Sequence, residues 1–105
     1  MSNLADAEPV WTGGWTFLTN HSHVLICLAR DPNLRLRDIA AEVGITERAV
    51  QGIVNDLEAA GCIVRHREGR RNRYSIVADR PMRHRVERGH LVSELLDAMA
   101  PPIDR

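Results

Sequence analysis

The sequence predicts a mainly α domain that carries one small β-hairpin. Three observations predict it. Apolar residues recur at helical spacing in three successive segments between residues 21 and 60. Residues 62 to 77 then alternate between polar and apolar around a glycine-bearing break. A last helical pattern follows before Pro101-Pro102. A chain of 105 residues sustains a single core, so one domain is expected.

Residues 1 to 10 read as a frayed leader. Residues 11 to 18 hold both tryptophans and the only phenylalanine, so residues 1–18 read as an N-terminal aromatic arm. Its rings pack either on the domain or on a second subunit. Thr19 or Asn20 caps a first helix over His21 to Arg30, with Val24, Leu25, Cys27 and Leu28 inward. Asp31-Pro32 ends it, because proline disfavours helical geometry at the residue before it. Leu34-Arg35-Leu36 forms a very short strand or leads into a second helix, Leu36 to Val43. Gly44 suits the left-handed turn after that helix. Thr46 caps a third helix, Glu47 to Ala60, in which Val50, Ile53, Val54 and Leu57 follow the i, i+3, i+4, i+7 rule. Gly61 stops it. Cys62 to Arg67 and Arg73 to Val77 read as strands joined by a tip, Glu68 to Asn72. A last helix is expected over Arg85 to Met99, with Leu91, Val92, Leu95, Leu96 and Met99 apolar. Helix, helix, helix, strand, strand, helix is the order of a winged helix-turn-helix, with the hairpin as the wing.

The net charge is zero, but its distribution is uneven. Residues 65 to 88 hold nine arginines against three acids, whereas residues 1 to 64 hold four arginines against eight. One basic stripe on a near-neutral body is the footprint expected of a nucleic-acid binder. All fourteen basic residues are arginine, a composition a GC-rich genome also produces.

Ile39, Ala40, Val43, Gly44, Ile45, Thr46, Val50 and Ile53 form the central pattern. Ala40 lets two helices approach, Gly44 relieves the turn and the apolar residues fill the space between. With the run from Asn55 to Tyr74 (NDLEAAGCIVRHREGRRNRY), this pattern resembles the helix-turn-helix of bacterial and archaeal winged-helix regulators. It is similar to the MarR-like and ArsR-like families over roughly residues 21 to 78. The resemblance implies a transcriptional regulator whose third helix enters the major groove of double-stranded DNA. It assigns residues 19–80 to the DNA-binding domain and residues 81–105 to a C-terminal helix that pairs two subunits into a homodimer; the bland alternative is a monomer whose terminal helix packs on its own core.

On that reading Arg48 pairs with guanine and Gln51 with adenine, Thr46 holds a phosphate, and Asn55 lies on the same exposed face. Gly52 either lets the backbone approach the duplex or is a tolerated surface choice. The wing supplies Arg65, Arg67, Arg70, Arg71 and Arg73, with Asn72 at the tip. Arg65, Arg67 and Arg73 are expected to point outward, while Ile63, Val64, Tyr74 or Ile76 pack. Arg70 and Arg71 at the tip reach phosphates or the minor groove. The bland alternative is an edge hairpin kept soluble by charge. The third helix has one arginine against Glu47, Asp56 and Glu58. That poverty of positive charge keeps open a winged-helix protein-interaction module without sequence-specific DNA binding.

Other functions find little support. No glycine-rich phosphate loop follows a strand and no nucleophile–base pattern stands out, so no enzyme is expected. The Cys-x-Cys pair frequent in ArsR-like metal sensors is replaced by Asp38-Ile39-Ala40-Ala41-Glu42, and no metal or cofactor is expected. Glu87 and His90 could share a helical face, the one conceivable bridge for a metal between subunits. Cys27 and Cys62 sit in apolar stretches and read as buried small hydrophobes. No apolar run reaches the roughly 18 residues of a membrane span. Residues 1 to 10 hold Asp6 and Glu8 and no basic residue, unlike a secretory signal, so a cytoplasmic location is expected.

Overall fold

Helix caps fix most of the element boundaries. The computed structural model describes residues 14–99, in the order α1 (Asn20–Arg30), α2 (Leu36–Val43), α3 (Glu47–Ala59), β1 (Ile63–Glu68), β2 (Arg71–Ile76) and α4 (Val92–Met99). The expected leader, Trp11 and the Pro101-Pro102 stop lie outside the described residues. Thr19 is the N-cap of α1: its Oγ1 accepts from the Ser22 N–H at 3.2 Å. Asp31 closes α1 and its carboxylate accepts from the Asn33 N–H at 3.0 Å, turning the chain. Arg35 is not in a strand but at the cap position of α2, where Asp38 reaches back to its N–H at 3.4 Å.

α1 is the central helix. Val24, Leu25, Ile26, Cys27 and Leu28 are all buried, because α1 contacts α2, α3, β2 and α4. A helix covered on so many sides needs more than one apolar stripe. Ile39 and Ala40 of α2, the inner stripe of α3, Ile63 and Tyr74 of the hairpin, and Val92 and Leu96 of α4 complete the core. Cys27 and Cys62 are buried free thiols within it.

The hairpin is tighter than its sequence suggested. Its register runs from Ile63 opposite Ile76 to Glu68 opposite Arg71, leaving Gly69-Arg70 as a two-residue turn. Gly69 supplies the positive φ of 65° that such a turn requires. Arg71, Asn72 and Arg73 therefore belong to β2 rather than to the tip. The Tyr74 N–H donates to the Pro32 carbonyl at 3.3 Å, so the segment before α2 flanks β2.

The expected helix over Arg85 to Met99 is broken in two. Arg85–Glu87 forms a single 3-10 turn, Gly89 takes φ 89°, and the helix proper begins at Val92. A left-handed residue cannot sit inside an α-helix. The apolar spacing from Leu91 onward belongs to α4, but it does not run back past Gly89, where Val86, the one apolar residue from Arg85 to Gly89, is 83% exposed. Among the described residues no helix is long and apolar enough to cross a membrane.

Candidate nucleic-acid interface

The turn between α2 and α3 sets the orientation of α3. Gly44 takes φ 86°, and the N–H groups of Gly44 and Ile45 both donate to the Ala40 carbonyl, at 2.8 and 3.1 Å. Thr46 then caps α3, its Oγ1 accepting from the Ala49 N–H at 3.0 Å. Val50, Ile53, Val54 and Leu57 anchor one side of α3 to the core. At 100° per residue, Arg48, Gly52, Asn55 and Ala59 then line the opposite side. All four are exposed. The polar side of α3 is therefore turned away from the body of this chain.

A hydrogen-bonded chain joins α3 to the hairpin. The Gln51 Nε2 donates to the Asn55 Oδ1 at 2.9 Å, and Asn55 also accepts from Arg65 at 3.4 Å. The same Arg65 nitrogen meets Glu58 at 3.1 Å, and its guanidinium carbon lies 5.8 Å from the centre of the Tyr74 ring. Arg65 therefore braces the hairpin against α3. It shares a strand face with Ile63 and Arg67, facing Tyr74 and Asn72 across the ladder, whereas Arg73 lies on the other face. This corrects the expectation that Arg65, Arg67 and Arg73 project together. Val64, expected in the packing, is 45% exposed. A two-residue turn in place of a five-residue tip changed the pairing, and the pairing decides which residues share a face.

Two of the five hairpin arginines are paired with acids, Arg65 with Glu58 and Arg73 with Glu68 at 3.3 Å. The other three have no acid within ion-pair distance among the described residues. The Arg67 Nε donates to the Gly69 carbonyl at 2.8 Å, Arg71 donates to the Asn33 carbonyl, and Arg70 stands exposed at the turn. Arg70, Arg71 and Asn72 share a cleft of about 330 Å³ with Arg35. The Asn72 Oδ1 is buried there without a hydrogen-bond partner. Arg35 was missed in the sequence, although its place at the start of α2 was the available signal: the fold brings that start beside the hairpin turn.

The candidate metal pair is dispersed. Glu87 and His90 lie on either side of Gly89, not on one helical face. The Glu87 carboxylate accepts from the His84 N–H at 3.0 Å, and the His90 Nδ1 meets Glu94 at 2.7 Å. Among the described residues no three His, Cys, Asp or Glu side chains gather as a metal site requires. Burial, reinforced by Glu42, pushes the Cys27 thiol above its ordinary pKa, the opposite of what an activated thiolate needs.

No curated protein and no solved structure matches the chain significantly. A family model does: the MarR family matches residues 16–73, more than half of the chain. The match spans α1, the α2–α3 turn, α3 and most of the hairpin, the elements whose winged-helix order is described above. The chain belongs to the MarR family of DNA-binding transcriptional regulators.

Proposed function

We propose that the protein is a cytoplasmic, homodimeric regulator that places α3 in the major groove and its hairpin on the adjacent backbone or minor groove. It acts by binding rather than by catalysis. One observation carries this reading: the exposed side of α3 is flanked by a hairpin whose turn arginines are not neutralised by acids. Arg48 is exposed on the first turn of α3, where side chains reach base edges. Gln51 and Asn55 are tied to each other, so a base edge replaces that bond with its own donors and acceptors. The Thr46 hydroxyl accepts the capping bond with its oxygen, which leaves its proton for a phosphate. Arg67, Arg70 and Arg71 meet phosphates directly, and Asn72 and Arg73 line the flanks of the same turn.

The test is duplex affinity as a function of salt. Three phosphates per hairpin in a dimer release about six counterions, a log–log slope near −5. Arg70→Ala with Arg71→Ala makes that slope shallower by roughly 2 per protomer. A wild-type slope near zero contradicts the reading.

A second reading rests on a different observation. Trp15 is 68% exposed and Phe17 90%, stacked edge to face on each other rather than on the core. Exposed rings of this kind suit a protein surface. Partner binding that survives loss of the hairpin arginines, together with no duplex binding, selects a winged-helix interaction module instead.

A further inference from the structure

The start of α2 is held against the outer edge of β2. One edge of β2 pairs with β1. On the other, the Tyr74 N–H donates to the Pro32 carbonyl at 3.3 Å and Arg71 donates to the Asn33 carbonyl. Two bonds to successive carbonyls fix the segment that enters α2 beside the hairpin turn. The cleft of about 330 Å³ between them has an apolar part, Leu34, Leu36 and Tyr74, and a charged part, Arg35, Arg70 and Arg71. Apolar surface of that kind carries the aliphatic stems of arginines and leaves their heads in water.

None of these three arginines has an acid within ion-pair distance among the described residues. Asp38, the acid nearest to Arg35 in sequence, accepts from the Arg35 backbone N–H at 3.4 Å instead of meeting its guanidinium. A guanidinium has no acceptor atom, so the Arg35 side chain cannot cap α2. Arg71 uses one of its five N–H donors on Asn33 and keeps the others. Three like charges around one cleft repel each other, and an anion seated among them removes that cost.

Guanidinium forks match the oxygens of phosphates and carboxylates alike. Arg70 decides between them. It stands on the turn that the reading above sets on the DNA backbone, and it lines this same cleft. A strand that meets Arg70 brings its phosphates to the mouth of the cleft, where Arg35 is exposed.

We propose that this cleft seats a phosphate of the duplex backbone and that Arg35 is its ligand from the α2 side. This rests on the DNA-binding reading above and adds a fourth phosphate to the three counted for each hairpin. Eight phosphates in the dimer put the log–log slope at about −7. The contact also has a geometric use. α2 leads into the turn that orients α3, so backbone contacts at Arg35 and at the hairpin turn hold both elements on the same stretch of strand.

The experiment compares four full-length proteins on one duplex across a salt series: wild type, Arg35→Ala, Arg37→Ala and the Arg70→Ala/Arg71→Ala double. Arg37 is exposed two residues further on and does not line the cleft, so it reports the general field of α2. Arg35→Ala is expected to make the log–log slope shallower by roughly 1 per protomer, and Arg37→Ala to keep the wild-type slope. A second series replaces one phosphate of the duplex at a time by an uncharged methylphosphonate. One position is expected to weaken wild type and leave Arg35→Ala unaffected; if every position that weakens wild type weakens Arg35→Ala equally, the proposal is overturned. If the hairpin double flattens the slope and Arg35→Ala does not, the cleft proposal is overturned and the DNA reading stands. If Arg35→Ala and Arg37→Ala flatten it equally, the cleft is not the cause and the proposal is also overturned. If the double and Arg35→Ala both bind like wild type, the DNA reading fails and takes this proposal with it.

Discussion

Arg65 shows how one side chain ties two elements together. It meets Glu58 with 31% and 42% of the two side chains exposed, so solvent screens the pair and its own contribution is small. A double-mutant cycle on Arg65→Ala and Glu58→Ala is expected to give a coupling of less than about 1 kcal/mol. The larger consequence is geometric, since Arg65 fixes the hairpin relative to Asn55 and hence to the exposed side of α3. His90 and Glu94 form the other notable pair. Hydrogen bonding to Glu94 raises the His90 pKa, and hydrogen bonding to His90 lowers that of Glu94. The pair therefore stabilises the fold fully between the ordinary glutamate and histidine values. The histidine part is lost as pH rises through the raised His90 pKa, and the glutamate part as pH falls through the lowered Glu94 pKa. Titration of His90 by NMR is expected to show a midpoint above 6.5 that falls toward it in Glu94→Gln. Neither pair was legible in the sequence: alternation alone points Arg65 outward with Arg67 and Arg73, and only the strand register sets it opposite Tyr74 and beside Glu58.

The helices were legible because their ends are chemically marked. Thr46, Gly44, Asp31-Pro32 and Gly61 each do what their residue type does best, and α2 and the start of α3 fall where those residues put them. The α4 boundary failed for a related reason: Gly89 takes the left-handed conformation, which apolar spacing alone could not reveal. Thr46→Ala is expected to cost about 1 kcal/mol in thermal or denaturant unfolding, through the lost cap. Gly52 lies in the interior of α3 with nothing within 4 Å of where a Cβ would stand. No contact within the chain requires glycine there. Gly52→Ala is expected to stabilise the protein by about 1 kcal/mol, raising the unfolding midpoint by roughly 4–8 °C. Destabilisation instead would mean that the side of α3 taken as open is covered.

At the scale of the molecule, a chain of zero net charge binds polyanions only if its charges are segregated. The sequence displayed that segregation directly, but not that the start of α2 adds Arg35 to the cleft beside the hairpin turn. The assembly is the other property at this scale. Trp15 and Phe17 leave the core of their own subunit uncovered by their rings, and Met99 at the end of α4 is 41% exposed. Phe17 and Met99 border one recess with Leu18 and Val43. In the homodimer proposed above this face is shared between subunits. Sedimentation of the full chain is expected to give a dimer, and Trp15→Ala with Phe17→Ala a monomer; a wild-type monomer at all concentrations contradicts the pairing.

The central claim is that the exposed side of α3 and the hairpin turn together meet a duplex. Titrating labelled protein with double-stranded DNA at low salt and following backbone amide signals by NMR tests it directly. The account predicts that the largest perturbations fall on Thr46 to Asn55 and on Arg67 to Arg73. Perturbations confined to Trp15, Phe17 and α4, or none at all, would contradict it.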